Sequence, residues 1–111
     1  MIAAALITVA LLGGHEDKPV DPAVGRRAHM KKVVAPYNAW LNQTAECESG
    51  SNWSTNTGNG YFGGLQFSLT TWQGVGGRGW PHLASRLEQK YRGVLLLRRQ
   101  GTGAWPVCGR H

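Results

Sequence analysis

Acidic side chains are nearly missing from the larger part of this sequence. From Tyr37 to His111 the only carboxylates are Glu46, Glu48 and Glu88, with no Asp at all. Any catalysis by a pair of carboxylates must draw on two of these three. Metal ligands are equally scarce. His15, His29, His82 and His111 share no ligand spacing, and cysteine is confined to Cys47 and Cys108, so no metal site is expected. GNGYFGG at 58–64 lacks the Lys-Ser/Thr of a phosphate-binding loop, and no cofactor is expected. There is no internal repeat. The longest apolar run, IAAALITVALL at 2–12, is too short to span a bilayer comfortably.

What replaces the acids is an excess of cations. The net charge is +6, and from Tyr37 onward seven Lys/Arg face three Glu. Such a surface gathers near anionic polymers, whether nucleic acid, acidic lipid headgroups or an anionic bacterial wall. The basic residues are dispersed and carry no nucleic-acid motif, so nucleic acid is not the expected partner.

The apolar run at 2–12 fits the core of an export signal, although no Lys or Arg precedes it and Gly13-Gly14 is a poor cleavage site. Residues 1–14 are therefore read as a signal peptide or N-terminal anchor, which implies a secreted, wall-associated protein. Residues 15–36 carry eight charges and three prolines without an apolar period, and are expected to be a flexible, solvated linker. The folded domain is placed at 37–111. A unit of roughly 75 residues holds only about 3–5 kcal/mol in its core and needs a staple. A bridge between the two cysteines would close a loop of about 60 residues, stabilise by roughly 4 kcal/mol, and require an oxidising compartment. Two free buried thiols are the alternative.

Within the domain, Tyr37, Trp40, Leu41, Thr44, Ala45 and Cys47 approximate a helical period up to Ser49, with Gly50 as a stop. Residues 52–66, NWSTNTGNGYFGGLQ, hold four glycines and three asparagines, and predict a tight hairpin. Ser68 is suited to cap a short helix from Leu69 to about Gln73, followed by a mobile glycine-rich bend. Ser85 and Glu88 form a capping box ahead of a third helix whose apolar face is Leu87, Tyr91, Val94 and Leu95, ending at Gly101. The expected fold is α+β but mainly helical: three helices and a small hairpin.

CESGSNWSTNTGNGYFGGLQFSLTTW at 47–72 and QGTGAWPVC at 100–108 resemble the two hallmark stretches of resuscitation-promoting-factor domains. The resemblance covers essentially all of 37–109. It implies a reduced lysozyme-like fold with one disulfide, Cys47 to Cys108, and action on the glycan strands of peptidoglycan. It places the catalytic glutamate on Glu48 and saccharide contacts on Tyr61, Thr71 and Gln100. A peptidoglycan endopeptidase is the partner it brings to mind, and the domain is expected to be a monomer. Ser51 stands where a second glycine is common, Ser68 where an acidic or polar residue often occurs, and Leu87 where the last helix usually carries Glu.

The residues themselves support this assignment. Glu48 lies near the C-terminal end of a helix, where the dipole disfavours ionisation, and Trp53 and Tyr61 are close enough in sequence to exclude water. Both effects raise a carboxyl pKa, as a general acid requires. Glu46 is two residues away on another face, and Glu88 is assigned to the capping box. With no second carboxylate, a lytic transglycosylase fits better than a two-carboxylate hydrolase. A muramidase-type hydrolase, or a non-catalytic wall-binding or signalling module, are the alternatives. Among the aromatics, Trp53, Tyr61 and Trp72 are expected near the cleft, and Trp40 and Trp105 in the core. Gln66 either lines the cleft or holds the hairpin to the first helix.

Overall fold

The computed structural model describes residues 21–111. The segment read as signal or anchor lies outside the described residues, as do residues 15–20. No described helix is long and apolar enough to cross a membrane.

The first described element departs from expectation. Where charge and proline predicted a linker, Pro22–Val34 form a helix, α1. Asp21 caps it, its Oδ1 accepting from the Ala23 N–H at 2.8 Å; Pro22 occupies the first turn and Lys31 and Lys32 the last. These are favourable end signals that do not depend on an apolar stripe. The stripe is nearly absent because α1 buries only Val34 and otherwise lies along the last helix, where His29 meets Tyr91 edge-on at 5.8 Å.

A 3-10 turn, Ala35–Tyr37, leads into α2, Asn38–Ser49. Gly50 ends α2 in the left-handed region at φ 63°, and Ser51 follows it there at the same φ. A non-glycine residue is strained in this conformation, which is the physical reason for expecting glycine at 51. Here the Ser51 hydroxyl donates to Glu46 Oε1 at 2.9 Å.

The expected hairpin shrinks to one antiparallel bridge, Phe62 with Phe67, whose N–H groups exchange bonds at 2.9 and 3.0 Å. Between them the chain turns through Gly63 at φ 80° and Gln66 at φ 56°. Ser68 begins α3, Leu69–Gly74, and accepts from the Thr71 N–H. The glycine bend after it is not free. It wraps the fully buried Trp72, whose Nε1 donates to the Arg78 carbonyl, while the Gly77 N–H bonds the Trp72 carbonyl. A Cβ on Gly77 would collide with that indole.

A 3-10 turn at Pro81–Leu83 precedes α4, Arg86–Gln100. Ser85 caps α4 by accepting from Glu88 N–H, but the Glu88 carboxylate turns forward to Arg92 at 3.3 Å, so the box is half made. The buried face of α4 is Gln89, Lys90, Gly93, Val94 and Leu96, not the predicted stripe, of which only Val94 is buried. Tyr91 of that stripe meets α1 instead. A helix clasped from two sides needs more than one apolar stripe. A 3-10 turn, Gly101–Ala104, then delivers Trp105 into the core with Leu41, Leu65, Phe67 and Val94. Cys108 closes the disulfide with Cys47, Cα atoms 5.6 Å apart.

Gln89 is fully buried and fully bonded. Its amide donates to the Trp53 and Ala84 carbonyls at 2.9 and 3.0 Å, and its Oε1 accepts from Gly64 N–H at 2.9 Å. Replacing Gln89 with Leu strands those three backbone groups away from water and is expected to cost about 3 kcal/mol or more, read as a lower urea midpoint at unchanged slope. Reduction of Cys47–Cys108 is expected to cost roughly 2–5 kcal/mol. A melting temperature that stays put after thiol titration confirms reduction would contradict a structural role for the bridge.

Candidate active site

Glu48 occupies the last turn of α2, between the disulfide at Cys47 and the anchor at Ser49. The Ser49 hydroxyl is shared between the Ala45 carbonyl at 3.0 Å and the Gly64 carbonyl at 2.9 Å. The end of α2 is thus tied to the tail by a covalent bond and to the 62–67 turn by a hydrogen bond. Glu48 itself is half-buried, and burial alone, without a neighbouring cation, pushes its pKa above the usual carboxylate range. Its position at a helix C-terminus acts in the same direction.

Four of the expected substrate residues come together. Tyr61, Gln66, Thr71 and Gln100 line one cavity of about 80 Å³, joined by Ser68 and Trp105. They arrive from the 62–67 turn and the residue just before it, from α3 and from the end of α4. Tyr61 is half exposed, at 51 %, as a platform for a ligand must be. The Ser68 hydroxyl donates to Thr71 Oγ1 at 2.9 Å, leaving the threonine proton free to bond outward. Gln66 braces its own turn, donating to the Gly63 carbonyl at 3.0 Å, and does not reach the first helix. Glu48 does not line this cavity. It is linked to it through Ser49 and the Gly64 carbonyl, one residue before Leu65, which does.

Two aromatics expected near the cleft are core residues. Trp72 is fully buried by the glycine bend, and Trp53 is 9 % exposed, packed against Gly64 with Arg86 and Lys90 over its ring at 5.6 Å. Trp105 is core, with its Nε1 donating to the Leu65 carbonyl at 2.9 Å; Trp40 is half-buried between Trp105 and a stacked His111. The sequence reading missed Ser49 and Gln89, since a serine or glutamine on a helix shows its partner only once the turn is packed against it. It also missed an aromatic groove of about 530 Å³ on Phe62, Trp80, His82 and Leu83.

A model of the transglycosylase-like domain matches residues 35–108. The chain belongs to the transglycosylase-like domain family. The curated relatives of this domain include the resuscitation-promoting factor Rpf of Micrococcus luteus, 51 % identical over 69 % of this chain and 34 % of that protein. RpfE of Mycobacterium tuberculosis is 53 % identical over 70 % of this chain and 45 % of its own length. RpfA of Mycobacterium tuberculosis is 45 % identical over 98 % of this chain and 25 % of its own length. The chain spans less than half the length of each of these three. The transglycosylase-like segment begins at the turn before α2, so α1 precedes it.

The raised pKa of Glu48 fixes the sign of a stability effect. The cost of burying its charge is absent in acid, where the group is protonated in both folded and unfolded states, and sets in as pH rises through its raised value. Glu48→Gln is expected to melt with the parent protein below the ordinary carboxylate range and slightly above it at neutral pH. Superimposable melting temperatures across the whole range would show that the carboxylate is not desolvated.

Proposed function

We propose that the 37–111 domain cleaves peptidoglycan at the β-1,4 bond between N-acetylmuramic acid and N-acetylglucosamine, as a lytic transglycosylase of the resuscitation-promoting type, with Glu48 as its single acid and base. The observation that carries this reading is the isolation of Glu48. Glu46 is exposed and accepts from Ser51, Glu88 is paired with Arg92, and Asp21 caps α1. No carboxylate among the described residues lines the cavity of Tyr61, Gln66, Thr71 and Gln100, whose polar groups are all neutral. Such a wall suits sugar hydroxyls, and a lone carboxyl with a raised pKa suits proton transfer.

Glu48 protonates the glycosidic oxygen as the bond from the muramyl anomeric carbon to that oxygen breaks. The carboxylate then takes the proton of the muramyl 6-hydroxyl as this oxygen closes onto the anomeric carbon. The proton lost in the first step is recovered in the second. A hydroxyl tethered on the same ring has a high effective concentration and needs no protein carboxylate to position it. Action outside the cell, on the wall, follows from this substrate and agrees with the disulfide. The names of the relatives support the biological class.

Glu48→Gln keeps size and polarity but removes the transferable proton. It is expected to abolish the clearing of isolated cell walls while the protein remains folded by circular dichroism. New ends made by the parent protein should be 1,6-anhydro-N-acetylmuramic acid, one water lighter in mass spectra than hydrolytic ends and resistant to borohydride. Retained clearing would remove Glu48 from the chemistry, and mainly reducible ends would make the enzyme a muramidase-type hydrolase.

A further inference from the structure

A second open pocket lies on a different part of the molecule. A pocket of about 530 Å³ opens between α1, α4 and the glycine bend, with Arg26 and His29 on one wall, Tyr91 and Arg92 on another, and Arg78 on the third. We propose that this pocket binds phosphate groups of an anionic polymer, at a site separate from the glycan cleft.

Three arginines line one cavity whose only carboxylate is Glu88; Arg26 and Arg78 are exposed there and Arg92 is half-buried. That carboxylate is committed to Arg92, which also donates to the Val75 carbonyl at 2.8 Å and is thereby held in place. Among the described residues no carboxylate pairs with Arg26 or Arg78, and the residues lining the pocket carry two more positive charges than negative ones, beside the imidazole of His29. Like charges brought together in a recess repel unless an anion joins them. Arginine forks present parallel N–H pairs that match the oxygens of phosphate, and a multiply charged tetrahedral group can take more than one fork at once. A lone carboxylate has one charge and two oxygens to offer.

The arrangement is set by helical spacing. Arg26, His29 and Met30 recur at three and four residues, which puts all three on the α1 face that meets α4. Arg27, Lys31 and Lys32 extend the positive charge along the same helix beyond the pocket, which suits a repeating anion more than a single one. The aromatic ring in the pocket is not a base platform. Arg92 lies over Tyr91 at 5.1 Å and His29 meets it in a T-shaped arrangement, so the ring is already engaged by two side chains.

The test is binding, not cleavage, and so does not depend on the proposed reaction. The full chain is titrated by calorimetry with inorganic pyrophosphate, a polyphosphate chain, polyglutamate and a single-stranded oligonucleotide of matched charge. The expected order has polyphosphate tightest. Arg26→Gln with Arg78→Gln should weaken it about tenfold or more, the size expected for losing charge-assisted bonds. Lys31→Gln with Arg98→Gln removes the same charge outside the pocket and should change it much less. Should the double variant melt lower than the parent, Arg78→Gln alone, on the bend and off the helix, supplies the comparison. Equal weakening by both pairs would reduce the site to diffuse charge. Pyrophosphate binding as tightly as the polymer, or polyglutamate or the oligonucleotide binding tighter than polyphosphate, would overturn the assignment.

Discussion

The structure depends on burying a tight turn that has no sheet around it. The Gly63–Gln66 segment lies under α2 and α4, where its backbone groups cannot reach water and only one bridge supplies strand-like bonds. Several of these groups are satisfied one by one. Gly63 N–H bonds the Thr55 carbonyl, Gly64 N–H bonds Gln89, the Gly64 carbonyl accepts from Ser49, and the Leu65 carbonyl accepts from Trp105. A buried backbone group left unpaired costs free energy comparable to a lost hydrogen bond. The helices and the tail are consequently held in one register by the turn they serve. Glycine at 63 and 64 is part of the same constraint, because a Cβ at either would strike Gln89 or Trp53.

The candidate active site inherits its geometry from this clasp. Ser49 bonds the turn, and Glu48 is its immediate neighbour on the side of the disulfide. The turn carries Gln66 and leads to Ser68 and Thr71 on one side, and Tyr61 lies just before it on the other. Glu48 and a neutral, polar wall are thus connected by a few side chain to backbone bonds and one covalent link. Rigid support of this kind is what a reaction driven by positioning requires.

The scarcity of acids has a second consequence at the opposite face. With Glu88 drawn to Arg92 and no Asp beyond residue 21, the α1 and α4 surface has no means of neutralising its arginines from within the described residues. The same composition that leaves Glu48 without a second carboxylate beside it leaves Arg26 and Arg78 without a carboxylate partner among the described residues. Charge pattern therefore bears on two regions of the molecule through one shortage.

The residues alone determined a good deal. Gly50, Ser68, Ser85 and Gly101 mark helix ends because capping is local chemistry, and the structure places helix ends at each. The Cys47–Cys108 pairing came with the motif and is present. The isolation of Glu48 could be counted directly. What required the tertiary structure was everything set by contact across the chain. Trp53 and Trp72 were expected in the cleft but fill the core, since an aromatic ring serves either place and only its neighbours decide. The linker became α1 because a helix with sound caps and a neighbour to lie against needs little apolar stripe of its own. Gln89, Ser49 and the arginine pocket were invisible for the same reason: their partners lie 25 and 15 residues away, or on separate elements, and hydrogen-bond geometry exists only after those elements are packed.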